Sequence, residues 1–474
     1  MLTFIISVGL LIAAYFTYGK FVERFFGASS KIETPVKRLA DGVDYHELKP
    51  WRIFVIQFLN IAGLGPIFGA IMGATYGPMA YLWVVVGCIF MGATHDYFSG
   101  MLSVRHDGMS LPDIVGKYLG NGVRKFMHVF TGFLLLAVGV SFVNGPAELL
   151  GNLTRMGMTS WLYIIFAYYI LATLLPIDKI IGKIYPIMGA ALLFMAVAVG
   201  GYLLYGGFSG ELYLENLTFD TMRNMHADPT RNILFPMLFV VISCGAISGF
   251  HATQSPMMAR CMADEKYGRP IFYGAMICEG VVAMIWATAA MAYFDGVEGL
   301  NAAGKTPAVI VNEICNSWLG RFGAIIAIIG VVVCPITSGD TAFRSMRLVV
   351  ADALRFNQKP IRNRLLVSVP IFVVAYVLCN LDFSTIWKYV GIGNQVLATI
   401  TLWTAATYLA KKGKAHWMMS LPATFLSVVC ATYFLIAPHK VGGLFLSAEI
   451  SYPVGVAVGL GLLVLFLWKV NGRK

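Results

Sequence analysis

Charged residues are scarce in this chain. Only 12% of its 474 residues are Asp, Glu, Lys or Arg, whereas a soluble protein carries about 25%. The mean hydropathy is +0.74, and no stretch is long and polar enough to form a separate soluble domain. These deficits exclude an ordinary soluble fold. The net charge of +11 is therefore no indication of nucleic-acid binding, and we predict no nucleic-acid partner.

Motifs of metal sites and hydrolases are missing as well. The eight cysteines are scattered, mostly within apolar segments, and no two have the CxxC spacing of a zinc or redox site. The HExxH and GxSxG patterns are also absent. We therefore predict no disulfide framework, no cofactor and no enzymatic activity, and we interpret the cysteines as small buried apolar side chains.

One short stretch matches a nucleotide-binding pattern. Residues 299–306 read Gly-Leu-Asn-Ala-Ala-Gly-Lys-Thr, which fits GxxxxGK[ST]. That pattern binds phosphate between a strand and a helix, whereas here it follows an apolar span and precedes Pro307. We predict that it binds no nucleotide and that residues 306–319 form a short helix against the outer surface.

Apolar segments of membrane-spanning length dominate the sequence. A crossing needs about 20 predominantly apolar residues. The thirteen predicted spans are 2–19, 52–76, 80–104, 123–143, 160–176, 184–206, 231–252, 271–294, 321–346, 363–379, 387–410, 417–437 and 452–470. The sequence therefore predicts an all-α, multi-pass membrane protein.

Basic residues are distributed unequally between the two faces that these spans define. Twenty-eight of the 35 lysines and arginines fall on one side and seven on the other. A missed or additional span would destroy this alternation from that point onward. By the positive-inside rule, we predict a protein of the plasma membrane, in particular a bacterial inner membrane, with its N-terminus outside and its C-terminus in the cytoplasm.

Two spans are interrupted by glycine-rich runs, at residues 60–69 and 244–251. Backbone groups exposed at such breaks must face protein, water or a ligand. Paired breaks in corresponding positions of two halves are typical of a transporter binding site, and we predict an inverted five-plus-five repeat. The predicted units are an extra span with a cytoplasmic loop (1–51), the two five-helix repeats (52–206 and 207–410) and two C-terminal spans (411–474).

The breaks supply the candidate substrate site. A half-helix N-terminus can hold a carboxylate through its backbone N–H groups, and an imidazole can add a charge or a proton. The predicted substrate-binding residues are Asn60, Gly63, Gly65, Gly69, Gly245, Ser248, Gly249, His251 and Gln254. The alternative is that the glycines only allow close helix packing.

Carboxylates within spans supply candidate ion-coupling groups, because a charge at the bilayer centre costs roughly 3 kcal/mol. The predicted ion-coupling residues are Asp340, Thr337, Ser338, Thr341, Glu279 and Asp96. Hydroxyls beside a carboxylate suit sodium, and a buried carboxylate can instead hold a proton. Three alternatives stay open: Asp340 only neutralises Arg344 four residues on, the hydroxyls bond back to their own helix, and Asp96 joins Arg105 in a structural cluster.

These motifs resemble the carbon-starvation (CstA) family of peptide and pyruvate transporters. The similar pieces are residues 61–66, 92–108 and 244–251, the span around Glu279, and residues 340–347. The resemblance extends over most of the chain and implies a fold like that of the amino-acid/polyamine/organocation superfamily. In one departure, longer members carry a histidine pair just before the first break, where this chain has Ile56 and Gln57. A role assigned to that pair does not transfer here.

The expected function combines these features. We expect an importer of small peptides or a short carboxylate such as pyruvate, working by alternating access, coupled to protons or sodium, and linked by family resemblance to carbon starvation. Its expected partners are that small-molecule substrate and the lipid bilayer. The alternatives are a channel-like facilitator of small polar solutes and an intramembrane enzyme.

Overall fold

The computed structural model describes residues 1–40, 45–174, 177–354, 356 and 360–471, without the side chains of 174–187, 352, 353 and 471. Six basic residues of the predicted inner face lie outside the described side chains. They are Lys179, Lys183, Arg355, Lys359, Arg473 and Lys474. Within its described part the chain is helical and contains no strand.

The uninterrupted helices vary in length from one turn to about nine turns. In chain order they are α1 (Leu2–Phe16), α2 (Tyr18–Phe26), α3 (Pro35–Arg38), α4 (Pro50–Ile61), α5 (Ala70–Ala74), α6 (Met79–Val86), α7 (Ala93–Arg105), α8 (Leu111–Leu119), α9 (Asn121–Leu153), α10 (Met158–Leu174), α11 (Ile177–Ser209), α12 (Leu234–Val241), α13 (Gly249–Ala259), α14 (Ala275–Tyr293), α15 (Val297–Ala303), α16 (Pro307–Ala353), α17 (Ile361–Leu378), α18 (Phe383–Lys411), α19 (Trp417–Ile436) and α20 (Ala448–Asn471). Segments of π-helix occupy Gly65–Gly69, Gly87–Gly92 and Arg269–Gly274. Short 3₁₀ turns occupy Glu265–Tyr267 and His439–Val441.

Many of these helices are long and apolar enough to cross a membrane. Among the described residues, nine pass this test, and the bent pair α4 and Gly65–Ala74 makes a tenth. The other predicted spans fall on the shorter apolar helix α10, on α12 with α13, and on α18. The multi-pass, all-helical architecture is thus confirmed, whereas the total of thirteen crossings stays a prediction.

The helices divide into an inner and an outer group. The apolar window of the span that contains α14 is 89% buried, and α14 contacts both α4 and α5 of the first broken span. The windows of α17 and α20 are only 28% and 22% buried. The high burial of α14 places it at the core. The exposed apolar side chains of α17 and α20 place these two helices at the lipid-facing periphery.

The first predicted break bends the chain by 51° between α4 and Gly65–Ala74. Pro66 cannot donate a backbone hydrogen bond, and the chain continues as the π-helical segment Gly65–Gly69. At its start, Phe68 N–H donates to the Leu64 carbonyl at 2.7 Å. The carbonyls of Leu59 and Ala62, at the end of α4, accept from the thiol of Cys334, each at 3.2 Å. Protein groups on α16 therefore satisfy the broken end.

The second predicted break separates α12 from α13. The chain turns at Gly245, whose φ of +87° lies in the left-handed region that favours glycine. Ile247 N–H donates to the Ser243 carbonyl at 2.8 Å, which closes the turn. At the N-terminus of α13, Phe250 N–H donates to Oδ1 of Asn394 at 3.2 Å, so a side chain of α18 caps this half-helix.

The stretch that matches the nucleotide-binding pattern has another environment. It lies on α15 and its C-cap Gly304, and it is preceded by α14 rather than by a strand. Lys305 Nζ pairs with Glu313 at 2.7 Å, and the Thr306 hydroxyl donates to Glu148 at 2.6 Å. A helix then begins at Pro307, and Gly320, at φ +63°, separates this helix from the apolar part of α16. The short helix predicted at residues 306–319 is therefore present.

Candidate functional site

The two breaks lie against each other at the centre of the fold. A Cβ added at Gly65 would overlap the Cβ and Sγ of Cys244. A Cβ at Gly245 would lie 3.9 Å from Cα of Pro66, and 2.6 Å from Cβ of Ala283 on α14. Glycine at position 65 therefore allows the two breaks to touch, and glycine at position 245 allows the second break to pack against α14.

The other predicted break glycines are also covered by protein. A Cβ at Gly249 would lie 2.5 Å from the Ala398 nitrogen on α18, one at Gly63 would lie 2.9 Å from the Phe142 ring, and one at Gly69 would lie 3.0 Å from the Val241 carbonyl oxygen. In this conformation the backbone at both breaks packs against neighbouring helices. A ligand can reach it only if the breaks separate.

Three buried carboxamides beside the breaks have unpaired polar atoms. The side-chain nitrogen and oxygen of Gln57 and of Asn60, and Oε1 of Gln254, find no hydrogen-bond partner among the described residues. All three side chains are 0–1% exposed. An unpaired buried polar group costs about 1–3 kcal/mol, and these atoms are therefore groups that a polar ligand or water can satisfy. Gln57 and Asn60, three residues apart, share one face of α4.

A row of four ionisable side chains connects α7, α13 and α14 behind the second break. Its members are His95, Asp96, His251 and Glu279. Oδ1 of Asp96 lies 2.8 Å from Nδ1 of His95, and Oδ2 of Asp96 lies 2.8 Å from Nδ1 of His251. Nε2 of His251 lies 3.4 Å from Oε2 of Glu279. Oε1 of Glu279 accepts from Gly245 N–H at 3.0 Å, which ties the chain to the break itself.

The geometry of this chain lets a proton reside on either of two groups. All four side chains are 0–1% exposed, so neither carboxylate can be stabilised by bulk water. With Nδ1 of His251 donating to Asp96, Nε2 either donates from a charged ring to ionised Glu279 or accepts from protonated Glu279. The 3.4 Å separation is longer than a normal hydrogen bond. Because His251 lies on α13 and Glu279 on α14, a small shift of one helix relative to the other changes this distance.

Three side chains beside the second break carry atoms that can act as ligands to a transition metal. Ligand atoms of Cys244, His251 and Glu279 all lie within 4.8 Å of one another. Thiolate, imidazole and carboxylate together suit zinc and its first-row neighbours. Cys244 Sγ also lies 3.6 Å from the hydroxyl of Ser248, another predicted site residue.

Asp340 lies in a separate cluster. Oδ2 of Asp340 accepts from Nε of Arg344 at 2.9 Å, and Nη2 of Arg344 donates to the Ala172 carbonyl at 2.6 Å. Among the described residues, no hydrogen bond or ion pair links Asp340 to Asp96 or Glu279. The expected ion pair on one helix face is present, and it neutralises both charges within α16.

The hydroxyls near Asp340 are used by the backbone. Thr337 and Ser338 donate to the Cys334 carbonyl at 2.8 and 3.0 Å, and Thr341 donates to the Ser338 carbonyl at 2.8 Å. Ser338 also donates to the Leu59 carbonyl of α4 at 3.0 Å. The hydroxyls thus bond back to their own helix, and Ser338 additionally attaches α16 to the first break.

The proposed cluster of Asp96 with Arg105 is wrong. Arg105 Nε pairs with Glu265 at 2.5 Å, and its Nη2 donates to the Gly27 carbonyl at 3.0 Å. Asp96 instead contacts two imidazoles. The prediction rested on the short separation of the two residues in the sequence. On α7, however, Arg105 follows Asp96 by nine residues, which places the two positions about 14 Å apart along the helix axis.

Comparison with known proteins fits this architecture. A family model described as "Carbon starvation protein CstA" matches residues 1–222, 132–318 and 299–433. The chain belongs to the CstA family. The resemblance read from the break motifs is thereby confirmed.

Relatives in the CstA family carry transporter names. A "Peptide transporter CstA" from Campylobacter jejuni is 24% identical over 99% of this chain and 84% of its own length. The "Pyruvate/proton symporter BtsT" of Escherichia coli is 24% identical over 60% of this chain and 48% of its own length. A protein from Haemophilus influenzae, described only as an uncharacterized membrane protein, is 45% identical over 64% of this chain and 94% of its own length. The two relatives with a functional name, from Campylobacter jejuni and Escherichia coli, are named as transporters and not as enzymes. This agrees with the missing hydrolase motifs.

Solved structures identify the fold. A manganese transporter from Eremococcus coleocola, solved as a histidine-to-alanine variant, superposes with a TM-score of 0.55 over 91% of this chain and 98% of its own length, at 11% identity. At that identity the likeness concerns the fold alone. This CstA-family chain therefore has the fold of a membrane transporter.

Sequence reasoning missed several members of the site. His95 and Cys244 were not among the predicted site residues, although each is adjacent to a break or to a buried carboxylate. Gln57, with both polar atoms of its amide unpaired, and Asn394, which caps α13, were not among them either. Polar side chains within otherwise apolar spans were the signal available for Gln57 and Asn394.

Proposed function

We propose that this CstA-family protein is a secondary active transporter that imports small peptides or a short carboxylate such as pyruvate across the bacterial plasma membrane. The observation that carries the proposal is the contact between two broken helices, backed by the buried Asp96–His251–Glu279 chain. Names of relatives support the substrate class. A link to carbon starvation is supported by the family description alone.

The proposed architecture is an inverted five-plus-five repeat within thirteen spans. Residues 52–206 and 207–410 form the repeats in this proposal, flanked by 1–51 and 411–474. The bend at the first break and the gap between α12 and α13 support it. The basic asymmetry of the loops supports an external N-terminus and a cytoplasmic C-terminus.

The proposed substrate site opens where the two breaks now touch. In this proposal the nine predicted substrate-binding residues line the opened contact, and the unpaired amides of Gln57, Asn60 and Gln254 hydrogen-bond a polar substrate. Because protein covers the break glycines in this conformation, substrate entry requires one helix bundle to rock against the other. A substrate carboxylate would then approach the N-terminus of α13.

We assign the coupling step to Asp96, His251 and Glu279, and a structural role to Asp340. Three helices contribute to the first group, so its contacts change when a broken helix moves. The ion pair of Asp340 with Arg344 lies within α16. The three nearby hydroxyls are engaged by backbone carbonyls, which favours a proton over sodium as the coupling ion. Protonation of Glu279 from one side and release to the other would then accompany substrate movement.

Uptake into liposomes under imposed gradients tests this proposal. Purified protein should accumulate pyruvate or a di- or tripeptide above its equilibrium level when the outside is acidic, and a protonophore should abolish the accumulation. Accumulation driven only by a sodium gradient would reassign the coupling ion. Entry that never exceeds equilibrium under any gradient would favour a facilitator and contradict active transport.

A second candidate substrate is a divalent transition-metal cation. Two observations favour it: the convergence of Cys244, His251 and Glu279, and the fold shared with a manganese transporter. In the same liposomes, manganese or zinc uptake that is lost in Cys244→Ser would support this candidate. Absence of metal uptake alongside pyruvate or peptide uptake would reject it.

A further inference from the structure

A groove of about 760 Å³ opens between the ends of α8, α18 and α20. It shares no lining residue with the two breaks or with the Asp340 cluster. Three lysines stand at its rim, Lys117, Lys411 and Lys469, and the described residues that line it include no Asp or Glu. Three like charges around one cavity repel one another unless an anion lies between them.

Each rim lysine lies at the C-terminal end of a helix. Lys117 is in the last turn of α8, Lys411 is the last residue of α18, and Lys469 is in the last turn of α20. Their side chains are exposed, and Nζ of Lys411 lies 5.1 Å from the centroid of the Tyr118 ring. Interaction with a helix dipole explains each lysine singly. It does not explain why all three surround one groove.

The rest of the groove is mostly apolar and follows the axis of α18. Its lining on α18 extends from Lys411 to Ile400, eleven residues or about 16 Å. That length is close to half of the ~30 Å hydrocarbon core, the depth of one leaflet. Leu462 and Leu465 of α20, which are 39% and 46% exposed, open the groove sideways toward the bilayer.

The floor of the groove is aromatic. The rings of Trp403 and Phe466 lie with their centroids 5.3 Å apart, and both side chains are largely buried. Nε1 of Trp403 donates to the Ser427 hydroxyl at 3.1 Å, so the polar atom of this indole is already satisfied. A largely buried aromatic floor under a cationic rim fits a ligand with an anionic head and a hydrocarbon tail.

We propose that this groove is a specific site for one anionic glycerophospholipid. The phosphodiester lies among Lys117, Lys411 and Lys469, and an acyl chain lies over Trp403 and Phe466. The charge of the rim, the one-leaflet depth and the lateral opening each match that ligand. Bound there, the lipid joins the peripheral helix α20 to α18, whose Ala398 packs against Gly249 at the second break.

Native mass spectrometry and thermal unfolding of the purified protein test the site. Phosphatidylglycerol or cardiolipin should remain bound and raise the unfolding temperature, whereas phosphatidylcholine should not. The triple variant Lys117→Gln, Lys411→Gln and Lys469→Gln should weaken phosphatidylglycerol binding about 100-fold, since each lysine at an anionic lipid surface contributes roughly fivefold. The matched control Lys20→Gln, Lys31→Gln and Lys49→Gln removes the same charge from exposed positions elsewhere and should bind normally.

A second variant separates a lipid site from a simple anion site. Leu462→Trp fills the apolar part and leaves the lysines in place, so it should reduce phosphatidylglycerol binding without changing the binding of inorganic phosphate. Equal lipid binding by both triple variants would overturn the proposal. So would phosphate binding as tight as lipid binding in the unaltered protein, or lipid binding unaffected by Leu462→Trp.

Discussion

Two clusters of charge lie within the helices of this protein, and they are built differently. Asp340 and Arg344 stand four residues apart on α16 and neutralise each other at 2.9 Å. Asp96, His251 and Glu279 come from three helices, and their two carboxylates face imidazoles whose charge depends on a proton. A movement of helices leaves the first cluster intact and changes the second. The density of polar residues along the sequence would select the Asp340 cluster as the coupling site. The placement of the groups between moving helices selects Asp96, His251 and Glu279 instead.

The largest effect on stability should follow from removing one partner of the ion pair between Asp340 and Arg344. Arg344→Leu leaves Asp340 buried without its cation, which should cost about 3–5 kcal/mol of unfolding free energy. The double variant Asp340→Leu and Arg344→Leu should be much closer to the unaltered protein, because no unpaired charge remains. Thermal unfolding of purified protein in detergent measures both. A double variant as unstable as Arg344→Leu would contradict a mutually neutralising pair.

The contact between the breaks should respond to a single methyl group. Gly65→Ala overlaps Cys244 and should cost about 1–3 kcal/mol by overpacking. Cys244→Gly in the same chain should recover most of that loss. Gly461→Ala on α20 is the matched control, because nothing lies within 4 Å of the added Cβ, and it should not destabilise. If Gly65→Ala and Gly461→Ala unfold alike, the breaks do not touch as described.

A smaller effect should come from the cap of α13. Asn394→Ala removes the acceptor of Phe250 N–H at the N-terminus of this half-helix and should cost about 1 kcal/mol. Asn380→Ala removes a carboxamide that donates only to carbonyls of its own exposed turn, and it should change stability less. Equal losses in the two variants would mean that the Asn394 contact is not a cap.

The features predicted correctly from the sequence are local ones. Apolar runs of fixed length locate the helices, and glycine-rich interruptions locate both breaks, because helix length and backbone freedom are properties of short segments. The ion pair of Asp340 and Arg344 was predictable for the same reason, since helical periodicity places residues four apart on one face. Membership in the CstA family followed from the motifs at these places.

The contacts that organise the site could not be predicted in this way. His251 meets Asp96 across 155 residues, and Asn394 caps Phe250 across 144. Arg105 finds Glu265 across 160 residues rather than the nearer Asp96. Which faces of two distant helices meet depends on the packing of the whole bundle, and no local period encodes it. For that reason the sequence predicted the two carboxylates and His251 as separate site residues, but it predicted neither the contacts between them nor the part of His95.

The central claim is that the Asp96–His251–Glu279 chain carries the coupling proton, and Glu279→Gln tests it most directly. The amide keeps the shape of the side chain and can still accept from Gly245 N–H, but it cannot ionise. In liposomes with an acidic exterior, this variant should lose accumulation driven by the pH gradient and retain exchange of labelled for unlabelled substrate. Asp340→Asn, measured alongside, should retain both activities. Full gradient-driven accumulation by Glu279→Gln, or its loss in Asp340→Asn alone, would contradict the account.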